Sequence, residues 1–288
     1  MNKAVKGHYI FRNTMNEMIS LTTVLVVIAA AAMNMTYLTE LRTVLGNTEK
    51  IGILTPFLTI LGAGQLIPSP HLFMSAFVFF LLAKRPRTDR EFMYHMIRSS
   101  RIKWIITEML EIVLFNIVVI IILYLASVLV MLPKVTFSFD WKHDMPYLAK
   151  IRGDWSGMVY DSVISQMSLV QAFACAVGYW LLYSIFGGLL LIMIRMIFPK
   201  QRYVGLGVLF GLYFYDYICE YCLGYVFRNV SPVALSRISY LNWGLDEDLP
   251  SGQYALVFFI VAILALALMN IILAKRVDLD NLSSKTYR

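Results

Sequence analysis

The sequence predicts an all-α, polytopic integral membrane protein with six transmembrane helices, both termini cytoplasmic, and an amphipathic cytoplasmic helix between spans 2 and 3. Three observations lead there. Apolar residues make up 59% of the chain and charged residues only 15%, against about 25% charged in an ordinary soluble domain. The 288 residues fall into apolar stretches separated by short polar ones, and a span needs about 20 apolar residues. The basic charge is lopsided: KRPRTDREFMYHMIRSSRIK, residues 84–103, holds seven of the 25 Lys and Arg residues. A short, strongly cationic loop between apolar spans stays on the cytoplasmic side, and this fixes the direction of every other span. The chain reads as a single transmembrane domain, 1–288.

Each element follows in order. Residues 1–17 carry Lys3, Lys6 and Arg12 with Ile10 and Phe11 between them, a basic lead-in suited to the membrane interface. The first span runs from about Met18 to Leu38; no cleavage pattern follows it, so it reads as a retained span rather than a signal peptide. Ile51 to Ala83 is free of charge for 33 residues but is interrupted by Pro56, Gly62, Gly64, Pro68 and Pro70, so it reads as a broken or kinked second span. Non-helical backbone at that depth requires cover by protein or a water-filled cavity. The third span runs from about Trp104 to Leu132, the fourth from Ile164 to Ile197, the fifth from Tyr203 to Tyr225 and the sixth from Gln253 to Ala274. Pro133 to Asp161 and Val226 to Gly252 are external loops in this reading, and Trp141, Tyr147, Trp155 and Tyr160 are interface anchors. On this topology 17 Lys and Arg lie inside and 8 outside.

Within the basic loop, Thr88 followed by Glu91 has the spacing of a capping box, in which each side chain satisfies a backbone N–H at a helix start. Phe92, Met93, Met96 and Ile97 then share one face, with Arg98 elsewhere. The segment is either a connector resting on lipid headgroups or a docking helix for a cytoplasmic partner.

The chemistry in the spans is sparse. No GxxxxGK[ST] loop occurs, so the chain does not hold ATP phosphates in a P-loop. His8, His71, His95 and His143 are scattered without ligand spacing, and no zinc motif is present. Cys219 and Cys222 stand three apart on a span with no second such pair, which reads as packing rather than redox or metal chemistry. Gly207 and Gly211 form a GxxxG packing surface. The net charge of +7 reflects cytoplasmic loops on an anionic leaflet, not nucleic-acid binding.

Asp216 and Glu220 are the informative pair. They stand four apart on the fifth span, and carboxylates facing lipid are costly, so they should face a cavity, a cation or each other. Tyr213, Tyr217 and Tyr221 form an adjacent stripe. Either these residues line a substrate path or its outer gate, or they form a structural network near the outer headgroups. Near the inner face, Glu108 and Glu111 are positioned to pair with Arg195.

The layout resembles the permease subunits of ATP-binding-cassette (ABC) transporters of the type-2 exporter class. The local match runs from Phe80 to Glu108, where an amphipathic helix is followed by Ser100-Arg101 just before the third span. SPVALSRISYL at 231–241 is similar to a Pro-containing, partly apolar segment that in this family dips back into the outer leaflet. The resemblance implies one half of a transporter pore in the cell membrane, bacterial plasma membrane included. Its partners would be two copies of a separate ABC ATPase subunit and a second permease, identical or paralogous, in the lipid bilayer. ATP and Mg would sit on the ATPase, with no cofactor and no catalytic residue in this chain. The implied substrate is hydrophobic or amphipathic: an antimicrobial peptide, a drug or a lipid-like molecule. Competing readings are a membrane-embedded enzyme and a sensor or scaffold, each using the Asp216/Glu220 site.

Overall fold

A computed structural model describes residues 28, 32, 38, 39, 42, 50–62, 70–83, 100–141, 161–199, 201, 203–223, 225–244 and 249–276. These residues are mostly helical. The helices are α1 (Thr55–Gly62), α2 (Pro70–Leu82), α3 (Arg101–Met131), α4 (Asp161–Gln166), α5 (Leu169–Ile197), α6 (Val204–Ile218), α7 (Tyr225–Arg228), α8 (Pro232–Leu235) and α9 (Gly252–Arg276). Three of them, α3, α5 and α9, have 31, 29 and 25 residues and are long and apolar enough to cross a membrane. At 1.5 Å per residue even the shortest exceeds the ~30 Å hydrocarbon core.

Local sequence explains where these helices start and stop. The Ser100 hydroxyl accepts from the Lys103 N–H at 3.4 Å and opens α3, and Pro133, which has no N–H to continue the ladder, follows its end. The fourth span was expected from Ile164, but the chain forms the short α4, breaks, and restarts at Leu169. The cause is a capping box: Ser168 Oγ accepts from Gln171 N–H at 3.3 Å, and Gln171 Oε1 accepts from Ser168 N–H at 3.1 Å. Pro70 opens α2, a position where the missing N–H costs nothing. The stretch read as a broken second span accordingly has a helix on each side of residues 63–69. Ser251 Oγ accepts from Tyr254 N–H at 3.2 Å at the start of α9.

One element was not anticipated. Ile51–Gly52 (β1) pairs in parallel with Val135–Thr136 (β2). The Thr136 hydroxyl adds a bond to the Ile51 carbonyl at 3.2 Å. Trp141, expected as an interface anchor, is buried and donates its indole N–H to the Met167 carbonyl at 2.7 Å.

The central helix is α5, which packs against α1, α2, α3, α6 and α9. Its contacts fix the direction of each neighbour. Ile112 of α3 lies beside Gly188 and Tyr124 lies 5.7 Å from the Phe173 ring, so α3 is antiparallel to α5. Tyr179 donates to the Gly252 carbonyl at 2.9 Å and Asn270 to the Leu189 carbonyl at 3.0 Å, so α9 is parallel. The His71 ring lies 5.8 Å from Tyr183 and Arg195 donates to the Ala83 carbonyl at 3.1 Å, so α2 is parallel. Gly205 meets Leu191 and Tyr213 meets Tyr183, so α6 is antiparallel. One end of the bundle therefore gathers Ala83, Ser100, Ile197, Tyr203 and Arg276, and Arg101 closes it by donating to the Lys275 carbonyl at 2.9 Å. The other end gathers β1, β2, Ser168, Gly252 and the segment 231–241.

The core between them is aromatic. Trp180, Tyr183, Phe57, Phe79 and Phe259 are fully buried, and Tyr183 makes edge contacts with Phe79, Tyr213 and Phe259. Each such pair contributes about 0.5–1.5 kcal/mol beyond its buried area.

Candidate functional site

The site is built around Asp216, in the last turn of α6. Its backbone lies just before a π turn, Cys219–Leu223, that continues the helix without a break. Such turns insert a residue and re-aim the side chains beyond it. Asp216 is 3% exposed, and an ionised carboxylate at that depth requires a cation. Two are supplied by the chain that follows. Arg228 Nε of α7 lies 3.8 Å from Oδ1, and Arg237 Nη2 lies 3.9 Å from Oδ2. Both guanidiniums also flank the Tyr240 ring, at 3.7 Å for Arg228 and 5.4 Å for Arg237, in cation–π contact.

Both arginines are buried because the segment between them turns inward. Every residue from Ser231 to Leu241 is buried. Ser231 caps α8 by accepting from Ala234 N–H at 3.3 Å, with Pro232 in the first turn. A 3-10 turn follows at Ile238–Tyr240, and the Trp243 indole N–H donates to the Ile238 carbonyl at 2.8 Å.

A second polar group adjoins the first. His71, at the start of α2, is fully buried. Its Nε2 lies 3.0 Å from Ser236 Oγ and its Nδ1 lies 3.3 Å from the Tyr213 hydroxyl. The Ser236 proton is spent on the Val233 carbonyl at 2.7 Å. Ser236 therefore accepts from His71 Nε2–H, and the bare Nδ1 accepts from Tyr213. His71 is neutral in this arrangement and ties α2, α6 and the inward segment together.

The expected site residues divide. Asp216 and Tyr213 face inward as a pair on one side of α6. Tyr217, expected beside the carboxylates, is exposed and packs against the exposed Tyr221, the two rings tilted with centroids 4.5 Å apart. Successive residues stand about 100° apart on a helix, so Asp216 and Tyr217 flank Tyr213 on opposite sides. Glu220 is in the π turn, with its side chain outside the described residues. Thr88, Glu91, Phe92, Met93, Met96, Ile97 and Arg98 also lie outside them. Glu108 and Glu111 are fully buried on α3. The register that sets Ile112 beside Gly188 puts Glu108 about one turn from Arg195, whose guanidinium also reaches the Ala83 carbonyl. Cys219 is buried and Cys222 exposed, and both are free, so this pair does not converge. Among the described residues no group of three His, Cys, Asp or Glu could hold a metal ion.

Sequence reasoning missed His71, Arg228, Ser236, Arg237 and Tyr240. One signal was available. A carboxylate in an apolar span demands a cation, and Arg228 and Arg237 are the basic residues between the fifth and sixth spans.

No family model, curated protein or solved structure matches this chain.

Proposed function

We propose that the chain is the membrane permease subunit of an ABC exporter. In this reading α3, α5 and α9 are spans 3, 4 and 6, α1 and α2 are the halves of a broken span 2, and α6 with its π turn is span 5. Residues 18–38 supply the first span. The observation that carries the reading is the alternation of helix directions around α5. It brings the flanks of the basic 84–103 loop, the 198–203 turn and the end of α9 to one end of the bundle. Arg101, Lys103, Arg195, Lys275 and Arg276 lie there, and the positive-inside rule makes it the cytoplasmic end in the cell membrane. The resemblance stated above adds the rest. Two ATPase subunits carrying ATP and Mg would engage the 88–98 helix, and a second permease, identical or paralogous, would complete the path. A hydrophobic or amphipathic substrate would pass near Asp216.

Co-purification tests the proposal. The tagged chain is expected to bring down a P-loop ATPase in equal amount. Phe92→Ala with Met96→Ala should leave insertion normal and lose the ATPase, because buried apolar area contributes about 25 cal/mol per Å². A cysteine at Arg90 should resist an impermeant thiol reagent in intact cells, whereas one at Lys142 should react. Labelling at Arg90, or recovery of the chain with no ATPase, would refute the assignment.

A further inference from the structure

We propose that the end of the bundle where α3 begins and α9 ends binds one anionic phospholipid, with Arg101, Lys103, Lys275 and Arg276 holding its headgroup phosphate. The proposal rests on this end facing the cytoplasm, not on an ATPase partner. Two helices far apart in sequence bring the four cations together. Arg101 Nη1 donates to the Lys275 carbonyl at 2.9 Å, which sets the first turn of α3 against the last turn of α9. Lys103 lies in that same turn of α3, and Arg276 follows Lys275 directly. Lys103, Lys275 and Arg276 are exposed and Arg101 is half-buried. A guanidinium has five N–H donors, so Arg101 keeps others after its one bond to Lys275. None of the four is paired with a carboxylate among the described residues. The next acidic residue along α3 is Glu108, fully buried about 10 Å further into the helix. The start of a helix carries partial positive charge of its own. Like charges gathered this closely repel one another, and an anion set among them turns that repulsion into attraction.

The surface below the cations suits hydrocarbon. α3 is antiparallel to α5 and α9 is parallel to it, so both helices lead inward from this end. Ile102 and Ile106 on α3 and Leu268 and Ile272 on α9 are all exposed within the first turns below the charges. The order from the end inward is therefore cationic, then aliphatic, on two helices that pack together. A phospholipid has the matching order, phosphate outward and acyl chains inward. Inorganic phosphate would use the cations and leave the aliphatic face uncovered. A zwitterionic lipid brings a cation of its own into the cluster. Only a lipid with net negative charge satisfies both parts, and such lipids are attracted to Lys and Arg next to a span.

The test follows thermal unfolding of the full chain, purified in a nonionic detergent. Phosphatidylglycerol, phosphatidylcholine with the same acyl chains, or inorganic phosphate is titrated in at fixed ionic strength. A ligand that binds only the folded chain raises the midpoint. Phosphatidylglycerol should raise it by about 3 °C or more, and the other two by less than about 1 °C. Lys275→Gln with Arg276→Gln changes exposed side chains and keeps the backbone carbonyl that Arg101 bonds, so the lipid-free midpoint should hold. Each lost cation weakens attraction to an anionic lipid about fivefold, so the apparent affinity for phosphatidylglycerol should fall roughly 30-fold. Lys50→Gln, exposed at the opposite end of the bundle beside β1, should leave the titration unchanged. An equal response to phosphatidylcholine overturns the proposal, because the cations then contribute nothing. A response to inorganic phosphate as large as that to phosphatidylglycerol assigns the cluster to free phosphate and overturns the lipid. A titration unmoved by the double variant, or shifted as far by Lys50→Gln, reduces the effect to net charge and overturns the site. The assay needs no ATPase. Failure here leaves the permease reading standing, and recovery of the chain with no ATPase leaves the lipid site standing.

Discussion

Helices α3 and α6 run in the same direction along α5, and they are built on different plans. α3 is a single rod, with Trp104, Glu108, Ile112, Phe115, Val119 and Leu123 on a buried stripe and Ile102, Ile106, Leu110, Leu114, Ile117, Ile121, Leu125 and Leu129 on an exposed one. The exposed stripe is aliphatic at every position, the composition that lipid tails accept. α6 is half as long, buries only Gly205, Leu206, Leu209 and Asp216, and passes into a π turn. Its exposed face mixes Gly207, Phe210, Gly211, Phe214 and Tyr217. Where one helix needs only to separate core from lipid, regular geometry suffices. Where a helix must also hold a buried carboxylate against two arginines from the chain that follows, the regular geometry gives way at the next turn.

Substitutions at the two helices should sharpen this contrast. The largest effect is expected at Asp216. Asp216→Leu leaves Arg228 and Arg237 buried without the carboxylate between them. Removing one partner of a buried ionic group costs about 3–5 kcal/mol, and the long contacts place this case near 3 kcal/mol. Thermal unfolding in detergent should show it as a clear loss, while Ile117→Ala on the exposed stripe of α3 should not move the midpoint. Equal effects at the two sites would dissolve the contrast.

The next effect concerns the helix that both pack against. Gly187 and Gly188 of α5 let neighbours approach closely. A Cβ at Gly187 would land on the Phe79 ring of α2, and one at Gly188 would lie 2.7 Å from Ile112 Cγ2 of α3. Overpacking of this kind costs about 1–3 kcal/mol. Gly188→Ala should therefore loosen α3 from α5, and Gly187→Ala should loosen α2. Hydrogen exchange resolved by helix would separate the two, and protection lost uniformly would contradict the assignment. A smaller loss, about 1 kcal/mol, is expected for Ser168→Ala, which removes half of the capping box that starts α5. Ser168→Asp should retain most of it.

The contrast also marks how far the sequence could be read. α3 and α9 were legible to within three residues because an apolar run bounded by charge or by Pro has one helical solution. The start of α5 was misplaced because hydropathy does not distinguish Ile164 from Leu169, whereas Ser168 and Gln171, a polar pair three apart, do. β1 and β2 are two residues each and join segments 83 positions apart or more, so no local pattern announces them. At the site, Asp216 was legible as a charge inside an apolar run. Its partners were not, because Arg228 and Arg237 read as loop charges until the burial of the apolar residues around them is known. His71 was set aside because it was sought as a metal ligand, and its role here is to join three segments as a neutral ring.

The smallest expected effect is the most direct probe of the exposed face of α6. Gly205 and Gly211 lie on the same helix, and both would tolerate a side chain in isolation. A Cβ at Gly205 would sit 2.7 Å from Leu191 Cδ2, whereas one at Gly211 meets nothing within 4 Å. Gly211 is exposed, as is Gly207 one turn before it. A substitution at an exposed site away from such contacts usually stays within about 0.5 kcal/mol. Replacing Gly in a helix interior removes a propensity penalty of about 1 kcal/mol, which favours the variant. Gly211→Leu should thus unfold at or slightly above the parent temperature, and Gly205→Leu well below it. The assembly is a separate readout. If a second permease packs on this face, as close helix approach through GxxxG would allow, Gly211→Leu lowers the dimer fraction in cross-linking while the unfolding temperature of the subunit holds. A drop in subunit stability at Gly211 equal to that at Gly205 would mean the face is covered within the chain itself, and the distinction between the two helices would fail at its exposed side.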